Sequence, residues 1–183
     1  MSDSVRLELT TQRLLLRQWR EQDAEPMAQI NRDPQVTRLL NRPTDARAVA
    51  AFHQATLDHW SEHGYGLWAV ESRESELGSG VIGFVGAALP TFIHELAARP
   101  ELGWRLASDC WGRGLATEAA RAARAEPLGP AAGLDELISI IHPDNVRSQS
   151  VARKLSMQVE REVHNPVINR QVQVWVTEPS DEA

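Results

Sequence analysis

The 183-residue chain is 42% hydrophobic and 24% charged, an ordinary globular balance that fits one domain with one core. Nineteen basic against twenty-five acidic side chains leave a net charge of −6, which speaks against nucleic-acid binding and is compatible with cationic substrates. Cys110 is the only cysteine, so an internal disulfide and a multi-cysteine zinc site are excluded and no metal is expected. No apolar run approaches the ~20 residues of a membrane span, and Met1 to Arg6 holds no apolar signal core, so the expectation is a cytoplasmic protein with no membrane contact.

Leu7, Leu9 and Leu14-Leu15-Leu16 read as two strand pieces around Thr10-Thr11-Gln12. Asp23 is placed to cap a short helix through Ile30, ended by Asp33-Pro34. Thr44 or Asp45 starts a longer helix. Its apolar residues Val49, Phe52, Leu57 and Trp60 recur at helical spacing, and Gly64-Tyr65-Gly66 closes it. Residues 67–70 and 81–89 form a hairpin about Gly78-Ser79-Gly80. Residues 90–100 are a long irregular stretch, where binding residues often sit. A strand at 102–106 precedes a helix at 115–125, which Pro127 stops. Residues 137–141 are a buried strand, 146–155 a helix, and 158–164 and 171–177 two closing strands. The last six residues are polar and frayed. The pattern predicts a single α/β domain, residues 1–183 with a core at about 7–177, built on a mixed sheet.

Three features in the middle of the chain carry chemistry. Gly112 and Gly114 sit two apart between a strand and a helix, with Arg113 between them. Glycines let a backbone approach a ligand closely, and a helix start adds unpaired N–H donors, so the turn suits an anionic diphosphate. It has neither the Gly-Lys-Ser/Thr of a nucleotide-hydrolysing loop nor a three-glycine dinucleotide fingerprint, and alone it reads equally as an ordinary connection. After the buried strand comes His142-Pro143-Asp144-Asn145-Val146-Arg147-Ser148, where Asp144 or Asn145 caps the next helix. Ser148 there shares the inward face with Val151, Ala152 and Leu155. Glu101 stands at the mouth of the central strand, a position for a general base.

Glu101-Leu102-Gly103-Trp104-Arg105-Leu106, Trp111-Gly112-Arg113-Gly114-Leu115-Ala116-Thr117-Glu118-Ala119, His142 to Ser148 and Lys154-Leu155-Ser156-Met157 follow one another in an order that resembles the GNAT superfamily of N-acetyltransferases. The likeness is strongest to the branch of the ribosomal-protein alanine acetyltransferases, whose first strand resembles Thr10 to Arg17. The resemblance implies a mostly antiparallel mixed sheet, splayed between two central parallel strands and flanked by about four helices. It implies acetyl-CoA as co-substrate, with the backbone of Trp104, Arg105 and Leu106 along the pantetheine arm and a bulge there freeing an N–H for the thioester oxygen. The amides of Trp111, Gly112, Arg113, Gly114, Leu115, Ala116 and Thr117 would hold the diphosphate, and Asn145 would bond the pantetheine chain. Glu101, through a water, would be the base and Ser148 the acid for direct transfer to an amine of a small molecule or a protein N-terminus. Relatives of this kind often form homodimers. The alternative is a non-catalytic CoA-binding module on the same fold, or a phosphate-ligand binder unrelated to CoA.

Among the departures from the family pattern are these. Ser156 stands where the family has glycine, so a positive φ there would strain it. The only tyrosine, Tyr65, is remote in sequence from the acid position that many members fill with tyrosine, which shifts that role to Ser148. His59 and His63 read as a solvated helix end and not a metal pair, and Cys110 as a small semi-buried filler. Trp19 and Trp104 are placed to edge an acceptor pocket, and His94 and Glu95 to face it from the long loop.

Overall fold

The computed structural model describes residues 8–39, 46–77, 80–125 and 136–177. Expectations for Leu7, Thr44, Asp45, Gly78, Ser79, Pro127 and the last six residues lie outside them. Eight strands form one sheet in the order β1-β2-β3-β4-β5-β6-β8-β7. They are β1 (Glu8–Thr10), β2 (Leu14–Arg17), β3 (Leu67–Ser72), β4 (Val81–Ala88), β5 (Glu101–Leu106), β6 (Ile138–Ile141), β7 (Met157–Asn165) and β8 (Arg170–Thr177). Every neighbouring pair is antiparallel except β5 and β6. The helices are α1 (Ala24–Arg32), the one-turn α2 (Pro34–Thr37), α3 (Ala46–His63), α4 (Leu115–Ala125) and α5 (Val146–Lys154).

Strand alternation sends side chains to two different cores. One face carries Leu14, Leu16, Val70, Val85 and Leu102 against α4, whose Ala119, Ala120 and Ala123 are fully buried and let the helix lie close to the sheet. The opposite face packs Ala69 and Phe84 against Met27 and Ile30 of α1 and Phe52 of α3. Indole N–H groups of Trp19 and Trp60 both donate to the Leu67 carbonyl, at 2.8 and 2.9 Å, pinning α3 to the start of β3. Trp19 is therefore a core residue and does not edge the cleft described below.

Helix details differ from the sequence pattern in two places. In α3 the buried line is Val49, Thr56 and Trp60, with Phe52 half-buried, while Leu57 is 37% exposed. Thr56 is tolerated inside because its hydroxyl donates to the Phe52 carbonyl at 2.9 Å. Asp23 precedes α1 but does not cap it with its side chain. Its oxygens accept from Arg17 at 2.7 and 2.8 Å and from the Arg20 N–H, because a guanidinium only 2% exposed takes the nearest carboxylate. Glu71 is the second partner of Arg17. Asp33 does act as a cap, accepting from the Gln35 N–H, with Pro34 in the first turn of α2.

Candidate active site

The site begins where β6 leaves β5. Only Glu101 and Ile138 face each other across this parallel pair, the Ile138 N–H bonds the Pro100 carbonyl, and the Ser139 hydroxyl bonds the Leu102 carbonyl at 2.7 Å. Beyond that junction the strands diverge and leave a cleft of about 890 Å³, bordered by β5, the end of β6, the start of α5 and the turn before α4. The expected bulge in β5 is absent: β4 and β5 pair without a register shift from Ala88↔Glu101 to Gly83↔Leu106. The splay makes a bulge unnecessary, because it already strips β5 of its second neighbour. Backbone groups alternate sides along a strand, so those of Leu102, Trp104 and Leu106 face the gap, while Arg105 turns its carbonyl toward Gly83 of β4. Glu101 opens β5 as expected and sits half-buried beside Ile138, where the two strands still pair.

The turn after β5 is built by glycine conformation. Gly112 and Gly114 have φ of 76° and 80°. A Cβ on Gly112 would meet nothing within 4 Å, and one on Gly114 only the Arg13 guanidinium at 3.7 Å, so these glycines serve the backbone angle and not a shortage of room. The first α4 amide bonded back to the turn is that of Glu118, to the Gly114 carbonyl at 3.1 Å, and the amides before it belong to the open helix end.

Arg13 and Glu118 hold this turn from below, a role the sequence pattern did not reveal. The Glu118 carboxylate accepts from the Thr11 hydroxyl at 2.6 Å, the Arg13 N–H at 2.9 Å and the Arg13 guanidinium at 2.7 Å. Another Arg13 nitrogen donates to the Arg113 carbonyl at 2.9 Å. Burial alone would raise the Glu118 pKa, but the bonds from Thr11 and Arg13 outweigh it and hold it below the usual carboxylate range. The Arg113 side chain does not add its charge to the cleft. It lies 3.2 Å from Glu74 and 3.6 Å from Glu76, so what this residue offers a ligand is backbone.

On the other arm, Asn145 caps α5 by accepting from the Ser148 N–H at 3.2 Å, which leaves its amide nitrogen as the group to donate. Ser148 is half-buried on the cleft wall. Arg147 reaches across the V to lie 4.6 Å from the Trp111 ring centre, and the Trp111 indole donates to the Leu106 carbonyl at 2.9 Å. Glu101, Trp104, Arg105, Leu106, Trp111, Gly112, Gly114, Leu115, Ala116, Thr117, Asn145 and Ser148 all line this one cleft.

Other candidates separate. His94 and Glu95 are exposed and Glu95 turns to Arg161, whereas Thr91 and Phe92 of the same loop line the cleft. His63 is the exposed helix end expected, but His59 is half-buried on the cleft wall. It stacks on His63 at 4.3 Å and edge-on to Tyr65 at 5.2 Å, its Nε2 has no hydrogen-bond partner among the described residues, and burial with His63 beside it pushes its pKa down to about 4. Cys110 is 2% exposed, and burial with the bond to Asp109 pushes its thiol up to about 12, so it is no nucleophile at neutral pH. Among the described residues no group of three His, Cys, Asp or Glu side chains is arranged to hold a metal, and no helix is long and apolar enough to cross a membrane.

An exposed strand edge leading from a turn of positive-φ glycines to a carboxylate suits a thin arm with an anionic end. Comparisons agree. Residues 13–158 match the family described as Acetyltransferase (GNAT) domain. The uncharacterized N-acetyltransferase YoaA of Bacillus subtilis is 28% identical over 158 residues, 83% of each chain. The crystal structure of an acetyltransferase from Agrobacterium tumefaciens superposes with a TM-score of 0.78 at 24% identity, covering 93% of this chain and 94% of that one. The ribosomal L7/L12 α-N-protein acetyltransferase RimL, in complex with coenzyme A, shares the fold at a TM-score of 0.72 and 13% identity, covering 95% and 98%. The chain belongs to the GNAT acetyltransferase family and is an acetyl-CoA-dependent acyltransferase.

Proposed function

We propose that the protein moves the acetyl group of acetyl-CoA to a primary amine, of a small molecule or a protein N-terminus, by direct attack in a ternary complex. The observation that carries this is the single continuous cleft joining the glycine turn, the free edge of β5, Glu101 and Ser148. Acetyl-CoA supplies a thioester whose carbonyl carbon the amine attacks. The amides from Gly112 to Thr117 hold the diphosphate, the edge groups of Trp104 and Leu106 line the pantetheine arm, and the Asn145 amide donates to it. Glu101, through a water, takes the proton the amine loses as the N–C bond forms. Ser148 gives a proton to the sulfur as the C–S bond breaks. Holding both reactants in one cleft supplies much of the rate.

Glu101→Gln and Ser148→Ala test this. With saturating acetyl-CoA, Glu101→Gln lowers kcat by about 10²–10⁴-fold and Ser148→Ala by a smaller factor, while the Kd for CoA stays constant. Thiol release at the wild-type rate in both variants sinks the assignment of roles. CoA binding without thiol release from any amine favours a non-catalytic CoA-binding module.

A further inference from the structure

The cleft extends past the splayed strands onto the sheet face that carries Glu101, Gly103 and Arg105. Three phenyl rings border it there. Phe52 of α3 and Phe84 of β4 lie 5.4 Å apart between ring centres, and Phe92 comes from the loop before β5. The β7–β8 turn adds Val167 and Ile168, and Val167 is 48% exposed beside this cavity. The floor is Gly103, where a Cβ would meet no heavy atom within 4 Å, so the slot reaches down to the strand backbone. Gly103 stands two residues from Glu101, roughly 7 Å by strand rise. Charges on this half nearly balance: Asp58, Glu62 and Glu101 against Arg38 and Arg105. A polycation would need a clear excess of carboxylates.

We infer that the acceptor is a primary amine joined to a compact apolar group, read by Phe52, Phe92, Val167 and Ile168, and is neither a polyamine nor a multi-amino sugar. This rests on the acetyl-transfer reading above. The amine sits at Glu101 and the apolar group over Gly103 between the rings and the turn. Burying an isobutyl or phenyl group there raises kcat/KM by about tenfold or more over an amine that lacks it.

The test measures thiol release by the full chain at saturating acetyl-CoA with leucinamide, phenethylamine, glycinamide and spermidine. Leucinamide and phenethylamine are expected to exceed the other two by about tenfold or more in kcat/KM. Val167→Asp, at an exposed turn position, raises KM for leucinamide by about tenfold and leaves the Kd for CoA unchanged. Equal or better turnover of spermidine or glycinamide, or a Val167→Asp variant that handles leucinamide normally, overturns the inference alone. If CoA binds but none of the amines releases thiol, the acetyl-transfer reading fails and this inference with it.

Discussion

Two residues past α5, Ser156 has φ of 58°, in the left-handed region where the Cβ of an L-residue is crowded. The strain follows from position: its N–H reaches back to Arg153, and the chain must then reverse into β7. Ser156→Gly is expected to raise stability by about 0.5–1 kcal/mol in urea titration, the relief of strain exceeding the added flexibility of the unfolded chain. The family resemblance pointed to this residue in the sequence; no local pattern did. His59 was legible only as one of a helical pair, because its burial depends on Tyr65 after the helix and on the depth of the cleft. Its folded pKa of about 4 lies below the ordinary 6.5, so as pH falls between those values the unfolded chain takes up a proton that the folded chain refuses. Stability therefore declines across that window and levels off below it. Thermal melts from pH 7 to 4 should show a shallower decline in His59→Leu.

Single elements were legible where periodicity is strong. Residues 115–125 form a helix and 171–177 lie within a strand, because an alanine stripe and an alternating Val172-Val174 pattern each admit one solution. The buried line of α3 was not, since Leu57 outranks Thr56 in hydropathy and only an intrahelical bond makes the threonine acceptable inside. The glycine turn was legible as a strand-to-helix turn that needs glycine backbone angles, but its scaffolding was not: Arg13 and Glu118 stand 105 residues apart. That clamp yields a prediction for the whole turn. Glu118→Gln keeps the shape and removes the charge that receives the Arg13 guanidinium, costing about 1.5–3 kcal/mol of charge-assisted bonding. Because Arg13 also holds the Arg113 carbonyl, calorimetry should show CoA binding weakened by about tenfold or more along with a lower Tm. Unchanged affinity at reduced Tm would mean that the clamp stabilises α4 without shaping the turn.

For the molecule as a whole, the layer class and the splayed central pair followed from the order of elements and from family resemblance, whereas the buried charge cluster did not. Arg17 looks in sequence like the polar end of a strand, yet it lies sealed between Asp23 and Glu71. Burial would raise the Asp23 pKa, but the bonds from Arg17 and Arg20 lower it below the ordinary 3.8, so the cluster's contribution is present above that value and lost only as pH falls through the folded pKa. Arg17→Met leaves Asp23 buried without its partner and is expected to destabilise the fold by about 3–5 kcal/mol, measured by denaturant unfolding at pH 7.

The divergence of β6 from β5 has a mechanical consequence. The sheet is two plates, β1 to β5 and β6-β8-β7, joined near Glu101 and Ile138 and met at the far rim by Arg147 against Trp111. In the proposed complex the substrate arm lies in the gap and takes the place of a missing strand. It would carry load from one plate to the other beside the apolar core that α4 and α5 already share across the gap, so filling the gap should stiffen β5 and β6 more than the rest of the sheet.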